Sequence, residues 1–216
     1  NGVQISNVTL NCANTGYGIF QATNTNLGMT AGVILTSRDA VNAIGPNNQS
    51  GATGTNPGTN GDPDLDNLIS PTLTYDACVL EFDVFVASDT LQFNYVFASE
   101  EYMEFANGGI NDVFGLFISG PGITGTPNMA LIPGSATYIS INNVNCTNNS
   151  AYYVCNDSLS SAYPGVCTTN CPLTNYNLPI QYDGFTTLLT AKYPVLRCHT
   201  YHIKTYARNS NRFIVY

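Results

Sequence analysis

The sequence predicts an all-β protein, a two-sheet β-sandwich of jelly-roll-like character with long loops and one or two short helices. Three observations carry this. Residues 78–97 alternate strictly, with Leu80, Phe82, Val84 and Val86 on one side and Glu81, Asp83 and Phe85 on the other. After the polar Ser88-Asp89, Leu91, Phe93, Tyr95 and Phe97 repeat the pattern. Period two is the signature of a half-buried strand. Residues 113–118 are nearly continuously apolar, which suits a strand covered on both faces. Finally, only 9% of the chain is charged, against roughly 25% in an average soluble domain. Polarity comes instead from 27 Asn, 24 Thr and 19 Gly, residues that favour strands, turns and loops.

Taken in chain order, residues 3–10 read as a strand, as do residues 32–36. Ser37 caps a short helix running to Ala43, which Gly45-Pro46 ends. Residues 45–63 are broken by Gly and Pro without periodicity and form a long loop. Residues 64–70 and 99–105 have room for one or two helical turns each. The two alternating runs within residues 78–97, joined by a short polar turn, predict a β-hairpin. Further strands are expected at residues 136–141, 151–155, 185–191, 200–207 and 212–216. No internal repeat interrupts this pattern, so residues 1–216 read as one domain, with a disulfide-rich excursion at about residues 143–175.

Seven cysteines occur, at Cys12, Cys78, Cys146, Cys155, Cys167, Cys171 and Cys198. No CxxC is matched by a second pair or by histidines at zinc spacing. Four of them crowd into the excursion, which predicts disulfides stapling a poorly packed segment in an oxidising compartment. Four cysteines allow three pairings, and spacing does not choose among them. An odd total leaves one thiol free, paired between subunits, or paired outside this sequence. Asn-x-Ser/Thr sequons at Asn7, Asn48, Asn145, Asn148 and Asn156 are possible glycosylation acceptors.

A net charge of −8 with six Lys plus Arg offers no basic stripe for nucleic acid or for an anionic membrane surface. No apolar run approaches the roughly 20 residues of a membrane span, and no charged and apolar leader opens the chain, so a signal peptide would already be removed.

The chain has 14 acidic residues, and four of them, Glu100, Glu101, Glu104 and Asp112, fall within residues 100–112. Beside them stands Asn111. Residues 61–67, GDPDLDN, add Asp62, Asp64 and Asp66 at alternate positions. Carboxylates converging from irregular loops are what a hard cation needs, so Asp62, Asp64, Glu100, Glu101 and Asp112 are the candidate ligands of one structural Ca2+. The competing expectation is that Ser99 and Asp112 cap turns while the glutamates are solvated. His199 and His202, three apart on a strand, face opposite sides and do not chelate one ion. No G-x-S-x-G elbow is present, which argues against Ser/His/Asp catalysis. Asp183 and Glu104 are a conceivable glycosidase pair, but nothing in the sequence sets their separation. Fourteen tyrosines would suit sugar stacking, yet tyrosine is also an ordinary strand residue.

The run FNYVFASEEYMEFANGGINDVFGLFISGPG, followed by NMALIPG and VNCTNN, closely resembles the choice-of-anchor L domain of bacterial secreted proteins. GVILTSRDAVNAIGPNN, GDPDLDNL, VLEFDVF, YDGFTTLLTA and CHTYHIK resemble it in the same order, so the likeness runs from Asn11 to Lys204. Beyond Lys204 the family continues through an acidic stretch, whereas this chain reads TYARNSNRFIVY. The resemblance implies a module of a large exported surface protein, in many cases type IX secretion cargo, with no established enzymatic activity. The expectation is therefore a non-catalytic extracellular structural or adhesive protein, as a fibre subunit or adhesin module, partnered by itself or other surface proteins through strand edges. A carbohydrate-binding lectin is the competing class, with glycans as partners, and a secreted hydrolase the more distant one.

Overall fold

The computed structural model describes residues 3–49, 54, 56–102, 105–109, 111–156, 179–207 and 211–215. The first sheet runs in the order β1 (Val3–Asn11), β4 (Cys78–Val86), β11 (His199–Ala207), β6 (Val113–Ser119) and β7 (Ile139–Ser140). The second runs β2 (Tyr17–Gln21), β3 (Ala31–Thr36), β12 (Asn211–Val215), β5 (Thr90–Ser99), β9 (Gly184–Thr186) and β8 (Tyr153–Cys155), with β10 (Leu189–Pro194) also on β5. Pairings in both sheets are antiparallel. This is the all-β sandwich that the sequence predicts.

The two sheets meet through the alternating residues. Phe82, Val84 and Val86 of β4 face Leu91, Tyr95 and Phe97 of β5 across one core. Phe82 meets Phe93 edge-on, with ring centroids 6.0 Å apart, and Tyr95 meets Phe114 at 5.0 Å. The expected hairpin is therefore corrected. β4 pairs with β1 and β11, whereas β5 pairs with β12, β9 and β10. The short turn carries the chain from one sheet to the other, because alternation fixes which face is buried but not which neighbour is bonded.

β6 is buried on both faces, as its apolar run requires. Phe114, Leu116 and Ile118 enter the inter-sheet core, while Val113 and Phe117 lie under a helix, α1 (Pro63–Ile69). Asp62 caps α1 by accepting the Asp64 N–H at 2.9 Å, Pro63 occupies its first turn, and Leu65 and Ile69 are buried against β6. Gly115 makes that approach feasible, since a Cβ there would lie 3.0 Å from Leu65 Cδ2 and closer still to the Phe117 ring.

Other expectations shift at their edges. Residues 37–43 give only a 3-10 turn, Ala40–Ala43. Within residues 99–105, β5 extends to Ser99, and Phe105 N–H bonds Glu101 O at 3.3 Å, the spacing of a single helical turn, while residues 103 and 104 lie outside the described residues. Residues 136–141 shorten to β7, residues 151–155 become a 3-10 turn followed by β8, and residues 185–191 divide into β9 and β10. β2 was not expected. Both terminal strands pair within the chain, β1 with β4 and β12 with β3 and β5.

A disulfide joins Cys12, just after β1, to Cys78 at the start of β4. Cys146 and Cys155 are also disulfide-bonded, while Cys167 and Cys171 lie outside the described residues. Cys198 is free and exposed, and is the odd thiol among the described residues.

Candidate functional site

The five acidic residues expected to share one cation fall in two places. Asp62 and Asp64 form a clamp between α1 and β11. Lys204 Nζ lies 2.9 Å from both Asp62 Oδ2 and Asp64 Oδ2, and the Tyr206 hydroxyl donates to Asp64 Oδ2 at 2.6 Å. The same ammonium sits 4.8 Å from the Tyr206 ring centroid and 3.9 Å from Glu81 Oε1. Lys204 pairs with Phe117 in the β6 register, five residues along from Asp112. At roughly 3.4 Å per residue that separates the two levels of the strand by about 17 Å.

Burial alone would raise the Asp64 carboxyl, but bonds from Tyr206 and Lys204 outweigh it and hold it below the ordinary value of 3.8. Burial pulls the Lys204 ammonium down, and bonds to Asp62 and Asp64 more than reverse that, leaving it above 10.5. A lowered carboxyl contributes stability above its unfolded pKa and loses it as pH falls through its folded one. A raised ammonium contributes below its unfolded pKa and loses it as pH rises through its folded one. Lys204→Met should therefore cost about 1 kcal/mol at neutral pH, a small figure because the cluster is partly solvated. The acid limb of a stability–pH profile should flatten as well. Denaturant titrations of both proteins from acid to neutral pH check this.

The second place is the bend after β5. Ser99 and Asp112 are fully buried, and the Ser99 hydroxyl donates to Asp112 Oδ2 at 2.9 Å while accepting the Glu101 N–H at 2.9 Å. The Asp112 carbonyl accepts the Ile141 N–H, and Asn111 Oδ1 accepts the Asn142 N–H. Ser99 thus caps the turn as the competing expectation had it, but the Asp112 carboxylate holds the Ser99 hydroxyl and Glu100 is buried where solvated glutamates were expected. Glu100 is buried, Glu101 half-buried, and Glu104 lies outside the described residues. Tyr102 is fully buried alongside; burial, then Tyr153 and Asp112, drives its phenol well above the ordinary range.

Sequence reasoning missed the amide lattice at this end of the second sheet. Asn47 Nδ2 donates to Asp183 Oδ1 at 2.8 Å and to the Asn156 carbonyl at 2.9 Å, and Gln181 Nε2 donates to Asn47 Oδ1 at 3.0 Å. Asn156 Nδ2 holds the carbonyls of Ile180 and Tyr182. Single amides scattered over more than a hundred positions carry no periodic signal. Among the described residues, no group of three or more His, Cys, Asp or Glu side chains is arranged to hold a metal ion. His202 lies between Asp83 and Glu81 at 2.9 and 3.4 Å, and His199 bonds the Arg197 carbonyl.

The sequons divide as well. Asn145 and Asn156 are buried, with their amide nitrogens donating inward. A glycan on either nitrogen would replace those bonds. Asn7, Asn48 and Asn148 are exposed, although Asn7 donates to Asp83 at 2.7 Å.

A different feature lies where the sheets end. β1 and β2 are the facing edge strands of the two sheets. All nine residues of β1 are exposed, including Ile5 at 60% and Val8 at 59%, and Ile19 on β2 is 88% exposed. Between these lips runs a groove of about 460 Å³, lined by Ile5, Val8, Leu10, Tyr17 and Val33 over a floor that includes Leu35 and Phe82.

No helix among the described residues is long and apolar enough to cross a membrane. No curated protein and no solved structure matches the chain. A family model described as the choice-of-anchor L domain matches residues 1–212, eight residues past the point where the chain departs from the resemblance noted above. The chain therefore belongs to the choice-of-anchor L domain family of surface-associated bacterial proteins.

Proposed function

We propose that this domain is a non-catalytic, architectural or adhesive part of a bacterial surface, acting as a fibre subunit or adhesin module that associates through its strand edges. One observation carries the reading: a nine-residue edge strand, β1, is exposed along its whole length and carries neither Lys nor Pro, its one interruption being a bulge between Ser6 and Thr9. Exposed edges of that kind template further strands unless they are shielded. The acidic residues support the same reading from the other side. Asp62, Asp64 and Asp112 are engaged in caps, clamps and turns, as a load-holding module requires.

Electron microscopy of native material from the producing cell tests the proposal. Filaments or ordered surface arrays are expected, and dispersed single particles under all conditions would contradict it. Calcium belongs to this proposal only as a stiffener of the bend holding Glu100, Glu101 and Asp112, because Asp62 and Asp64 already serve Lys204. Melting chelated protein with and without added calcium tests the ion. A rise supports it, and an unchanged melt removes it.

A further inference from the structure

In a sandwich, each sheet's inner face is covered by the other sheet, about 10 Å away. The lips of the groove break that rule. Val3 and Ile5 pair with Val86 and Val84, and Leu10 with Leu80, so all three share the inner face of the first sheet. Tyr17 and Ile19 pair with Leu35 and Val33 on the inner face of the second. Further in, the same faces are closed: Val84, Val86 and Leu35 are at most 2% exposed. At the lips Val3, Ile5, Val8, Leu10, Tyr17 and Ile19 are 39–88% exposed. The mouth of the sandwich is open, and its lining is inner-face residues with no opposite sheet.

We propose that this mouth is closed by a second copy of the chain, its β1 edge and apolar lips packing against those of the first. The inference rests on the self-associating role proposed above and names its contact surface. Three features select the occupant. No charged residue lines the groove or stands in β1, VQISNVTLN, so neither a charged partner nor an anionic lipid surface finds a complement there. A second β1 has the required chemistry, an uncharged strand whose inner-face positions are Val, Ile and Leu. The lips expose on the order of 600 Å² of residue surface per copy, the top of the range for a monomer's largest apolar patch. Two copies facing each other would bury roughly 1,200 Å², the threshold of a stable specific interface. Antiparallel pairing of β1 with its own copy is self-complementary under a two-fold axis. A fibre then needs one further contact, at another edge.

Sedimentation velocity over a wide concentration range tests the contact. Wild-type protein should pass from monomer to dimer. Ile5→Lys/Ile19→Lys buries two unpaired charges on association, so its dissociation constant should rise by roughly a hundredfold or more. Both positions are exposed, so its melting temperature should match wild type. Val41→Lys, on an exposed turn outside the groove's lining, should dimerise normally. A wild type that stays monomeric, or a double variant that dimerises as tightly as wild type, overturns the proposal. Filaments that persist in the double variant would also overturn this contact while leaving the architectural role intact. Loss of both dimers and filaments in wild type would remove both.

Discussion

Removing the Cys12–Cys78 bridge, as Cys12→Ala/Cys78→Ala, is expected to destabilise the domain by about 4 kcal/mol. The bridge spans 66 residues, and the chain-entropy relation assigns a loop of that size about 4 kcal/mol. Position adds to the effect. Cys12 follows β1 directly, and Asn11 opposite Val79 is the last pair of the β1–β4 ladder. With every residue of β1 exposed, the strand has little buried apolar surface to hold it, so the disulfide and the ladder must do so. The denaturation midpoint should fall, and protease sensitivity should rise first within residues 3–16. A midpoint unchanged from wild type would show that the bridge constrains nothing the fold does not already hold.

Phe114→Ala is the other large effect, expected to cost about 3–5 kcal/mol. Phe114 is fully buried, on the inner face of β6, with its ring centroid 5.0 Å from that of Tyr95. A truncated ring there leaves a void between the sheets that close packing cannot refill. Its neighbour gives the contrast. The Tyr95 hydroxyl is buried with no hydrogen-bond partner among the described residues, and burial drives its phenol above the ordinary range. Tyr95→Phe removes that unpaired group and keeps the ring, so it should leave stability unchanged or raise it by up to about 1 kcal/mol. Denaturant unfolding of the two variants separates packing from polarity at one site.

What the sequence discloses depends on whether the information is periodic. The faces of β4, β5 and β6 are legible because their inward residues recur at fixed spacing. Which strand pairs with which is not, and the expected hairpin became a crossing between sheets for that reason. β2 escaped because YGIFQ is short, carries a glycine and sits among Asn, Gly and Thr. The alternating aspartates of residues 61–67 read as candidate cation ligands, but Asp62 followed by Pro63 is equally a helix start, and Lys204, some 140 residues later, completes the clamp. In the bend, Ser99 caps the turn, while the Asp112 carboxylate accepts from the Ser99 hydroxyl. Charge alone could not indicate that Glu100 and Asp112 would be buried.

The open mouth was least legible, since Val3, Ile5, Tyr17 and Ile19 look like ordinary core residues until both sheets are in place. Hydrogen exchange measured on dilute and on self-associated protein tests it most directly. The account predicts that outer-edge amides of β1, fast in the dilute protein, become on association as slow as those of β4, while the distant edge at β8 stays unchanged. Association that leaves β1 as fast as before would contradict it.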